Sequence, residues 1–247
     1  ETNNVWVVDP TPDPMGYGGL EGPGFMFLAG AGSDSIELNL TQGVTTSVTY
    51  AMGEGDGGGS NVGPDGAEGE LLVENAGEDL NIYFTGLEPI TVNGTPGGTL
   101  TIIGDTDLNT INVIDGTSVG AAGYTQINGS NTLGAFETLD FAVDSFTALE
   151  IFGHDEADVI DVQNFEDNED TLATILIDGD SRGNSDAATG PWNDTLRVRT
   201  TNDVPNTSVL TMRGAEGDDL FELDSTPGAL RDGTVDGILA QVVVSGV

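Results

Sequence analysis

The stretch Leu149-Glu-Ile151-Phe-Gly153-His-Asp-Glu-Ala-Asp158-Val-Ile160-Asp-Val162 decides the fold of this chain. Apolar and polar residues alternate up to Gly153, an acid follows five positions later, and a second alternating run begins two residues after the acid. The same offsets recur in Leu100, Ile102, Gly104, Asn109, Ile111 and Val113, and again in Leu210, Met212, Gly214, Asp219, Phe221 and Leu223. Such a repeat indicates a chain built by stacking one supersecondary unit.

A fourth copy near the N-terminus keeps the spacing with alanine in place of the glycine: Phe25, Phe27, Ala29, Asp34, Ile36 and Leu38. Gly104 and Gly153 lie 49 residues apart, whereas Gly153 and Gly214 lie 61 apart. We assign the excess to the polar stretch 180–192, which separates a strand end at Gly179 from a strand start at Asn193. Each 49-residue block is then long enough for two coils of roughly 20–30 residues, a usual size for solenoid repeats.

Short alternating runs, punctuated by 37 glycines and 10 prolines, predict an all-β chain. A β-sandwich also has such strands and stays the alternative. The constant spacing from glycine to acid favours a β-solenoid, in particular a parallel β-helix, because each turn of a solenoid superposes on the previous one. We expect one domain over 1–247, with an extended strand and proline-rich spacer over 1–14, the repeat-containing solenoid over 25–225 and a C-terminal strand over 226–247.

Three segments stand outside the repeat. Val5–Val8 is expected to form an isolated strand, and residues 52–70, rich in glycine and acids, a mobile surface loop. The apolar run from Ile238 to Val244 predicts a last strand near the C-terminus. Because solenoid ends are normally capped by polar surface, we expect one of the two apolar terminal strands to pair with another copy of the chain, which gives head-to-tail assembly.

The charge of the chain restricts its partners. It has 42 acids, five arginines and no lysine, for a formal net charge of −37. This balance argues against binding to nucleic acids or anionic membranes, which both require basic patches. The acids form either a solvated coat or a set of cation ligands. The chain has no cysteine for disulfides or thiolate metal sites, and no apolar run near the ~20 residues that a membrane span requires.

Two segments resemble a known calcium-binding repeat. The segment Ala29-Gly-Ala-Gly-Ser-Asp-Ser-Ile-Glu37 is similar to the nonapeptide of RTX proteins, G-G-x-G-x-D-x-U-x, and Gly214-Ala-Glu-Gly-Asp-Asp-Leu-Phe-Glu222 matches it with alanine at the second position. The wider spacing here differs from the tandem copies of that family. The longer unit, over roughly residues 80–225, looks more like the repeats of giant planctomycete-type cell-surface proteins. This resemblance implies a secreted, calcium-binding protein of a cell surface.

Calcium is the cofactor that the sequence favours. The ion takes about six to eight oxygen ligands from carboxylates, amides and carbonyls, and acids recur in the repeat turns. A solvated turn stabilised by Asp or Asn side chains is the alternative at each cluster. The candidate ligands are Asp34, Asp105, Asp107, Asn109, Asp155, Glu156, Asp158, Asp178, Asp180, Asp186, Glu216, Asp218 and Asp219.

Catalysis has little support in the sequence. His154 is the single histidine and, with no cysteine or lysine, the usual pairs of nucleophile and base are not available. Arg197 and Arg199 could serve a polysaccharide lyase, but we favour their interpretation as surface ion-pairing residues. We therefore expect no enzyme but a secreted structural protein of a surface layer, fibre or extracellular matrix, whose partners are copies of itself. A carbohydrate-active lyase or hydrolase on a β-helix, and an adhesin or glycan-binding module, are the alternatives.

Overall fold

The computed structural model describes residues 5–8, 25–28, 34–40, 46–52, 62–63, 66–75, 78–85, 87–93, 97–105, 107–116, 123–132, 134–136, 138–142, 144–154, 156–167, 169–180, 192–201, 204–215, 217–223, 238 and 240–246. These residues confirm the all-β prediction. The strands are β1 Val5–Val8, β2 Phe25–Leu28, β3 Asp34–Asn39, β4 Thr46–Met52, β5 Val62–Gly63, β6 Gly66–Asn75, β7 Glu78–Thr85, β8 Leu87–Asn93, β9 Thr99–Ile103, β10 Thr110–Asp115, β11 Tyr124–Ser130, β12 Leu139–Ala142, β13 Ala148–Phe152, β14 Val159–Val162, β15 Thr174–Asp178, β16 Thr195–Val198, β17 Val209–Ala215, β18 Leu220–Leu223 and β19 Gln241–Gly246.

The strands form two mixed sheets that are rich in parallel pairs. Sheet A has the order β1-β3-β8-β12-β11-β10-β14-β16-β18. Sheet B has the order β19-β17-β15-β13-β9-β4-β6-β7-β2, with the short β5 paired to β6 outside this path. One hydrophobic cluster contains residues of both sheets, so the sheets share a single core.

From β9 onward the chain alternates between the two sheets. Strands β9, β13, β15, β17 and β19 lie in sheet B, and β10, β14, β16 and β18 lie in sheet A. Neighbours within each set pair in parallel, and the register places Leu149 between Leu100 and Ile175, two other repeat positions. We call a sheet B strand together with the sheet A strand that follows it a repeat unit.

The units are spaced differently from the sequence-based assignment. Strand β9 pairs directly with β13, so the 49 residues from Gly104 to Gly153 hold one unit and not two coils. The next 61 residues hold two units, because β15 lies between β13 and β17 in sheet B. The additional unit contains Gly179. The polar stretch 180–192 joins β15 to β16 within that unit, as expected, and its residues 181–191 lie outside the described residues.

Two strands inserted in sheet A account for the length of the first unit. Strand β11 pairs antiparallel with both β10 and β12, and β12 pairs in parallel with β8. The repeat is therefore interrupted by antiparallel strands, which continue sheet A towards its N-terminal strands.

The N-terminal region corrects two predictions. Residues 66–70, predicted as part of a loop, belong to β6, which lies antiparallel between β4 and β7. Gly69 and Glu70 pair with both neighbours, and this pairing outweighs the low strand propensity of glycine and glutamate. Val5–Val8 is not isolated, because it pairs in parallel with β3 and forms one edge of sheet A. Residues 9–24 and 53–61, with the proline-rich spacer and most of the predicted loop, lie outside the described residues.

The apolar repeat positions build the core, as predicted. Their side chains are no more than 1% exposed in the first three units and in β17, and each such aliphatic side chain contributes about 1.5–3 kcal/mol to folding. In sheet B they stack in two columns: Leu100, Leu149, Ile175 and Leu210 in one, and Ile102, Ile151, Ile177 and Met212 in the other.

The core is left partly open at its C-terminal end. Val244 pairs in register with Met212, which is fully buried, yet Val244 is 50% exposed. In sheet A, Phe221 and Leu223 lie opposite the buried Leu196 and Val198 but are only partly buried. Apolar side chains that face the core are therefore partly uncovered on β18 and β19.

In the described part of the chain, no helix has the length and apolar character needed to cross a membrane.

Candidate functional site

The repeat turns bring two kinds of residue into register. A glycine directly follows the sheet B strand in three of the units and is the penultimate residue of that strand in the fourth, and an asparagine or aspartate precedes each sheet A strand. We call the first set the glycine ladder and the second the Asx ladder. The glycine ladder contains Gly104, Gly153, Gly179 and Gly214, and the Asx ladder contains Asn109, Asp158, Asp194 and Asp219.

Close approach between units requires the glycines. A Cβ atom on Gly153 would overlap both Oδ2 of Asp158 and the carbonyl oxygen of Gly179 in the next unit. The backbone also joins the units here, since the N–H of Gly153 donates to the carbonyl of Asp178 at 2.9 Å. The recurrence of glycine at Gly104, Gly153 and Gly214 predicts turns with a positive φ, and this prediction is wrong. Among the described glycines, Gly98, Gly123 and Gly217 have positive φ, but none of the ladder glycines does. Space, and not backbone conformation, selects glycine.

The Asx ladder is a chain of hydrogen bonds from one unit to the next. The N–H of Asn109 donates to Oδ1 of Asp158 at 2.6 Å, and the N–H of Asp158 donates to Oδ1 of Asp194 at 2.8 Å. The N–H of Asp194 donates in turn to Oδ1 of Asp219 at 3.0 Å. Each carboxyl therefore binds the backbone N–H of the preceding unit, which would otherwise be an unpaired polar group inside the protein.

Burial makes the ladder carboxyls unusual acids. Asp158 and Asp194 are each 1% exposed, and their Oδ2 atoms are buried without a hydrogen-bond partner among the described residues. Burial raises the pKa of Asp158 to about 9; the N–H of Asn109 opposes this shift and the carboxyl of Asp194 adds to it. Burial likewise raises the pKa of Asp194 to about 7, opposed by the N–H of Asp158 and assisted by Asp219.

Asn109, at the first position of the Asx ladder, forms different side-chain hydrogen bonds from the aspartates that follow it. Nδ2 of Asn109 donates to the carbonyl oxygen of Gly153 at 2.9 Å and to that of Asp107 at 2.6 Å. The amide thus supplies a donor at the position where Asp158 and Asp194 have an oxygen.

The turn of the second unit is also strained. His154 and Glu156 have φ values of 95° and 76°, in the left-handed region that side-chain-bearing residues rarely adopt. Such conformations persist where the surrounding structure holds them. Here the flanking ladder residues, Gly153 and Asp158, hold both ends of the turn.

The other predicted metal ligands are distributed around the ladder. Asp105 is buried and accepts bonds from the N–H of Asp107 and from Nδ2 of Asn131. Asp178 is buried, 3.5 Å from Arg213, and the N–H of Asp180 donates to it. Burial raises the pKa of Asp178 to about 6 in spite of Arg213.

Of the remaining candidates, Asp218 is exposed, Glu156 is partly buried, and Asp34 begins β3. Asp155, Asp186 and Glu216 lie outside the described residues. Among the residues that the structure describes, no group of three or more histidine, cysteine, aspartate or glutamate side chains is arranged to hold a metal ion. Calcium binding stays a prediction from the sequence.

The two arginines at β16, Arg197 within the strand and Arg199 directly after it, are ion-pairing residues, as we favoured. Arg199 forms a two-pronged contact with Asp161, whose side chain is 6% exposed, and Arg197 lies 3.5 Å from the same carboxylate. Arg197 also pairs with Glu222 at 2.6 Å. These contacts join β14, β16 and β18 across the outer face of sheet A.

Sequence reasoning missed two important acids. Asp194 was not among the candidate ligands, although Asp194, Leu196 and Val198 repeat the usual offsets and Ile175, Ile177 and Gly179 supply the other half of the unit. Only the long insertion between the halves concealed the match. Glu169 is completely buried, and burial raises its pKa to about 7. No pattern in the sequence singled out this residue.

The chain matches no protein-family model, no curated protein and no solved structure.

Proposed function

We propose that this chain is a secreted structural protein, a β-solenoid that joins end to end with copies of itself in a surface layer, fibre or extracellular matrix. The observation that carries the proposal is the character of the four strands at the outer edges of the two sheets. They are almost free of charge, and they run in matching directions at the two ends of the stack.

The solenoid part of the proposal is supported by the repeat units. The chain passes from one sheet to the other and back, its neighbouring units pair in parallel, and the two ladders repeat once per unit. A stack of this kind grows by adding units, and each unit contacts mainly its neighbours. The antiparallel strands β6 and β11 are insertions in this scheme.

The composition of the edges supports assembly. Natural proteins usually protect exposed sheet edges with charged residues, because an unpaired edge is a template for another strand. Here the edge strands read VWVV in β1, FMFL in β2, LFEL in β18 and QVVVSG in β19, with Glu222 as the single charged residue. The edge strands of this chain, which has 42 acids, therefore lack the charged residues that usually protect an exposed edge.

The strand directions support a head-to-tail arrangement. Following the parallel and antiparallel pairs across sheet B, β2 runs in the same direction as β19. In sheet A, β1 likewise runs in the direction of β18. A second copy could therefore pair β1 with β18 and β2 with β19 in the parallel sense used inside the chain. Contacts of this heterologous kind extend into filaments unless they close into a ring.

A proline on β19 tests the proposal. The N–H of Gln241 donates to Ser208 on the β17 side, so by alternation the N–H of Val243 points to β17 and that of Val244 points to the open edge. Val244→Pro therefore removes an outward donor and leaves the internal ladder, whereas Val244→Thr keeps the donor and serves as the control.

Assembly is measured by sedimentation velocity and electron microscopy over a range of protein concentrations. High salt is used because the net charge opposes association. We expect linear oligomers of the wild type and of Val244→Thr that lengthen with concentration, and monomers of Val244→Pro. A wild type that stays monomeric at every concentration, or a proline variant that assembles equally well, contradicts the proposal.

A further inference from the structure

Asn109 and Asp158 occupy the same position in consecutive repeat units, so the contacts of their side chains can be compared directly. A Cβ atom placed on Gly104 would meet the carbonyl oxygen of Gly153 and Nδ2 of Asn109, and these two atoms form a hydrogen bond of 2.9 Å. One unit later, a Cβ atom on Gly153 would meet the carbonyl oxygen of Gly179 and Oδ2 of Asp158. The carboxyl oxygen of Asp158 thus occupies the position at which the preceding unit has an amide donor.

Two acceptors face each other at this position if the carboxyl is ionised. A carboxylate has no hydrogen to donate, and a backbone carbonyl only accepts. Asp158 is 1% exposed, and its Oδ2 finds no hydrogen-bond donor in the described part of the chain, so the contact would be repulsive in a place that solvent does not reach. A proton on Oδ2 turns the repulsion into a hydrogen bond.

We propose that Asp158 is a neutral carboxylic acid whose Oδ2–H donates a hydrogen bond to the carbonyl oxygen of Gly179, so that a bound proton joins two repeat units. Its other oxygen, Oδ1, accepts from the N–H of Asn109, as the structure has it. The acid thereby bridges three units, from β9–β10 through β13–β14 to β15–β16.

The charged groups around Asp158 disfavour its ionised form. Asp105 faces it from the preceding unit and Asp194 from the following one, and both raise the pKa of Asp158 beyond the effect of burial. His154 and Glu156 belong to its own turn. Three further acids, Asp178, Asp180 and Asp219, lie around Asp194 one unit away. Among the described residues, the arginine in this group is Arg213, which lies against Asp178 and not against Asp158.

Proton binding makes the stability of the protein depend on pH. The pKa of Asp158 is raised from 3.8 to about 9, so between these values the folded state binds one proton more than the unfolded state. The contribution of Asp158 is therefore complete below pH ~4 and is lost as the pH rises towards 9. Each pH unit in this window lowers the folding equilibrium constant tenfold, which corresponds to about 1.4 kcal/mol. Between pH ~7.5 and ~8.5 Asp158 dominates, because burial raises the pKa of Glu169 and Asp194 only to about 7 and that of Asp178 to about 6.

The substitution Asp158→Asn tests the proposal, because an amide supplies the donor permanently, as Asn109 does. Asp219→Asn, at the outer end of the same ladder, is the matched control. The first measurement is the infrared absorption of protonated carboxyl groups at pH ~7.5. We expect a band in the wild type and in Asp219→Asn that is markedly weaker in Asp158→Asn, where only the partly protonated Asp194 and Glu169 still absorb. The second measurement is urea unfolding, in which the tenfold loss between pH ~7.5 and ~8.5 should disappear in Asp158→Asn alone.

Two further measurements cover the cases in which the variant does not fold or in which a metal ion, and not a proton, binds at Asp158. If Asp158→Asn does not fold, carbon-13 resonances of the aspartate carboxyls in the wild type report the titration directly. If calcium, added after EGTA treatment, removes the protonated-carboxyl signal of Asp158 at pH ~7.5, then the ladder is a cation site and the proposal is overturned. It is equally overturned by an Asp158 carboxyl that is ionised at pH ~7.5, or by a pH dependence that Asp158→Asn retains.

Discussion

Gly153→Ala tests how closely the repeat units are packed. The added methyl group would overlap Oδ2 of Asp158 and the carbonyl oxygen of Gly179. Neither obstacle is the free end of a flexible side chain, since one is backbone and the other is held through Oδ1 by the N–H of Asn109. The units must therefore separate locally, and overpacking of this kind costs about 1–3 kcal/mol.

Separation also weakens the bonds between units. The N–H of Gly153 donates to the carbonyl of Asp178 at 2.9 Å, and a buried polar group left unpaired costs about 1–3 kcal/mol. We therefore expect Gly153→Ala to lower the free energy of unfolding by about 2–6 kcal/mol, the sum of these two costs. Urea denaturation followed by far-ultraviolet circular dichroism measures the change.

The control for this substitution is Gly123→Ala. Gly123 has a φ of +87° and no atom within 4 Å of an added Cβ, so alanine there meets open space and costs only the unfavourable backbone conformation, about 1–2 kcal/mol. If Gly153→Ala destabilises the protein no more than Gly123→Ala does, the units are not in the close contact from which the magnitude was derived.

Two further predictions concern groups outside the ladders. Glu169→Gln should leave the free energy of unfolding unchanged near pH 4 and raise it by about 1–3 kcal/mol at pH 8. The reason is that burial raises the pKa of Glu169 to about 7, so the stability contributed by its proton is lost as the pH rises from ~4.5 to ~7. A difference in urea midpoint between the variant and the wild type that does not grow with pH refutes this prediction. Arg199→Ala should cost about 1–3 kcal/mol, since it removes the two-pronged partner of Asp161, whose side chain is 6% exposed. Arg213→Ala, which removes a 52% exposed arginine, should cost less than ~1 kcal/mol in the same thermal or urea melts, and equal losses for the two arginines contradict the assigned burial.

The repeat pattern predicts the local structure well because its physical cause is local. Alternation around Gly153 and Asp158 determines which side chains face the core, and Leu149, Ile151 and Ile160 are buried as expected. Stacking order is not local. Nothing near Gly104 indicates that Gly153 lies directly beside it, or that the residues between them include two additional strands of sheet A.

The candidate site shows the same limit. The offsets identify Asp158 and Asp219 as residues of interest, but not which atoms their oxygens meet. The partner of Asp158 Oδ1 is a backbone N–H at Asn109, 49 positions earlier. Asp194 lies beyond the insertion that follows Gly179, so its equivalence to Asp158 becomes visible only when β15 and β16 are seen to form one unit.

The C-terminal end of the stack is stepped. Sheet B ends with β19, whereas the last strand of sheet A in the described residues is β18, which belongs to the preceding unit. A flat end would allow a neighbouring molecule to sit in either of two half-turn orientations. A stepped end fits only a partner whose contacting surface extends one strand further in the sheet that meets sheet A. If copies join at this end as proposed, the step gives the filament a defined polarity and a fixed rotation from one subunit to the next.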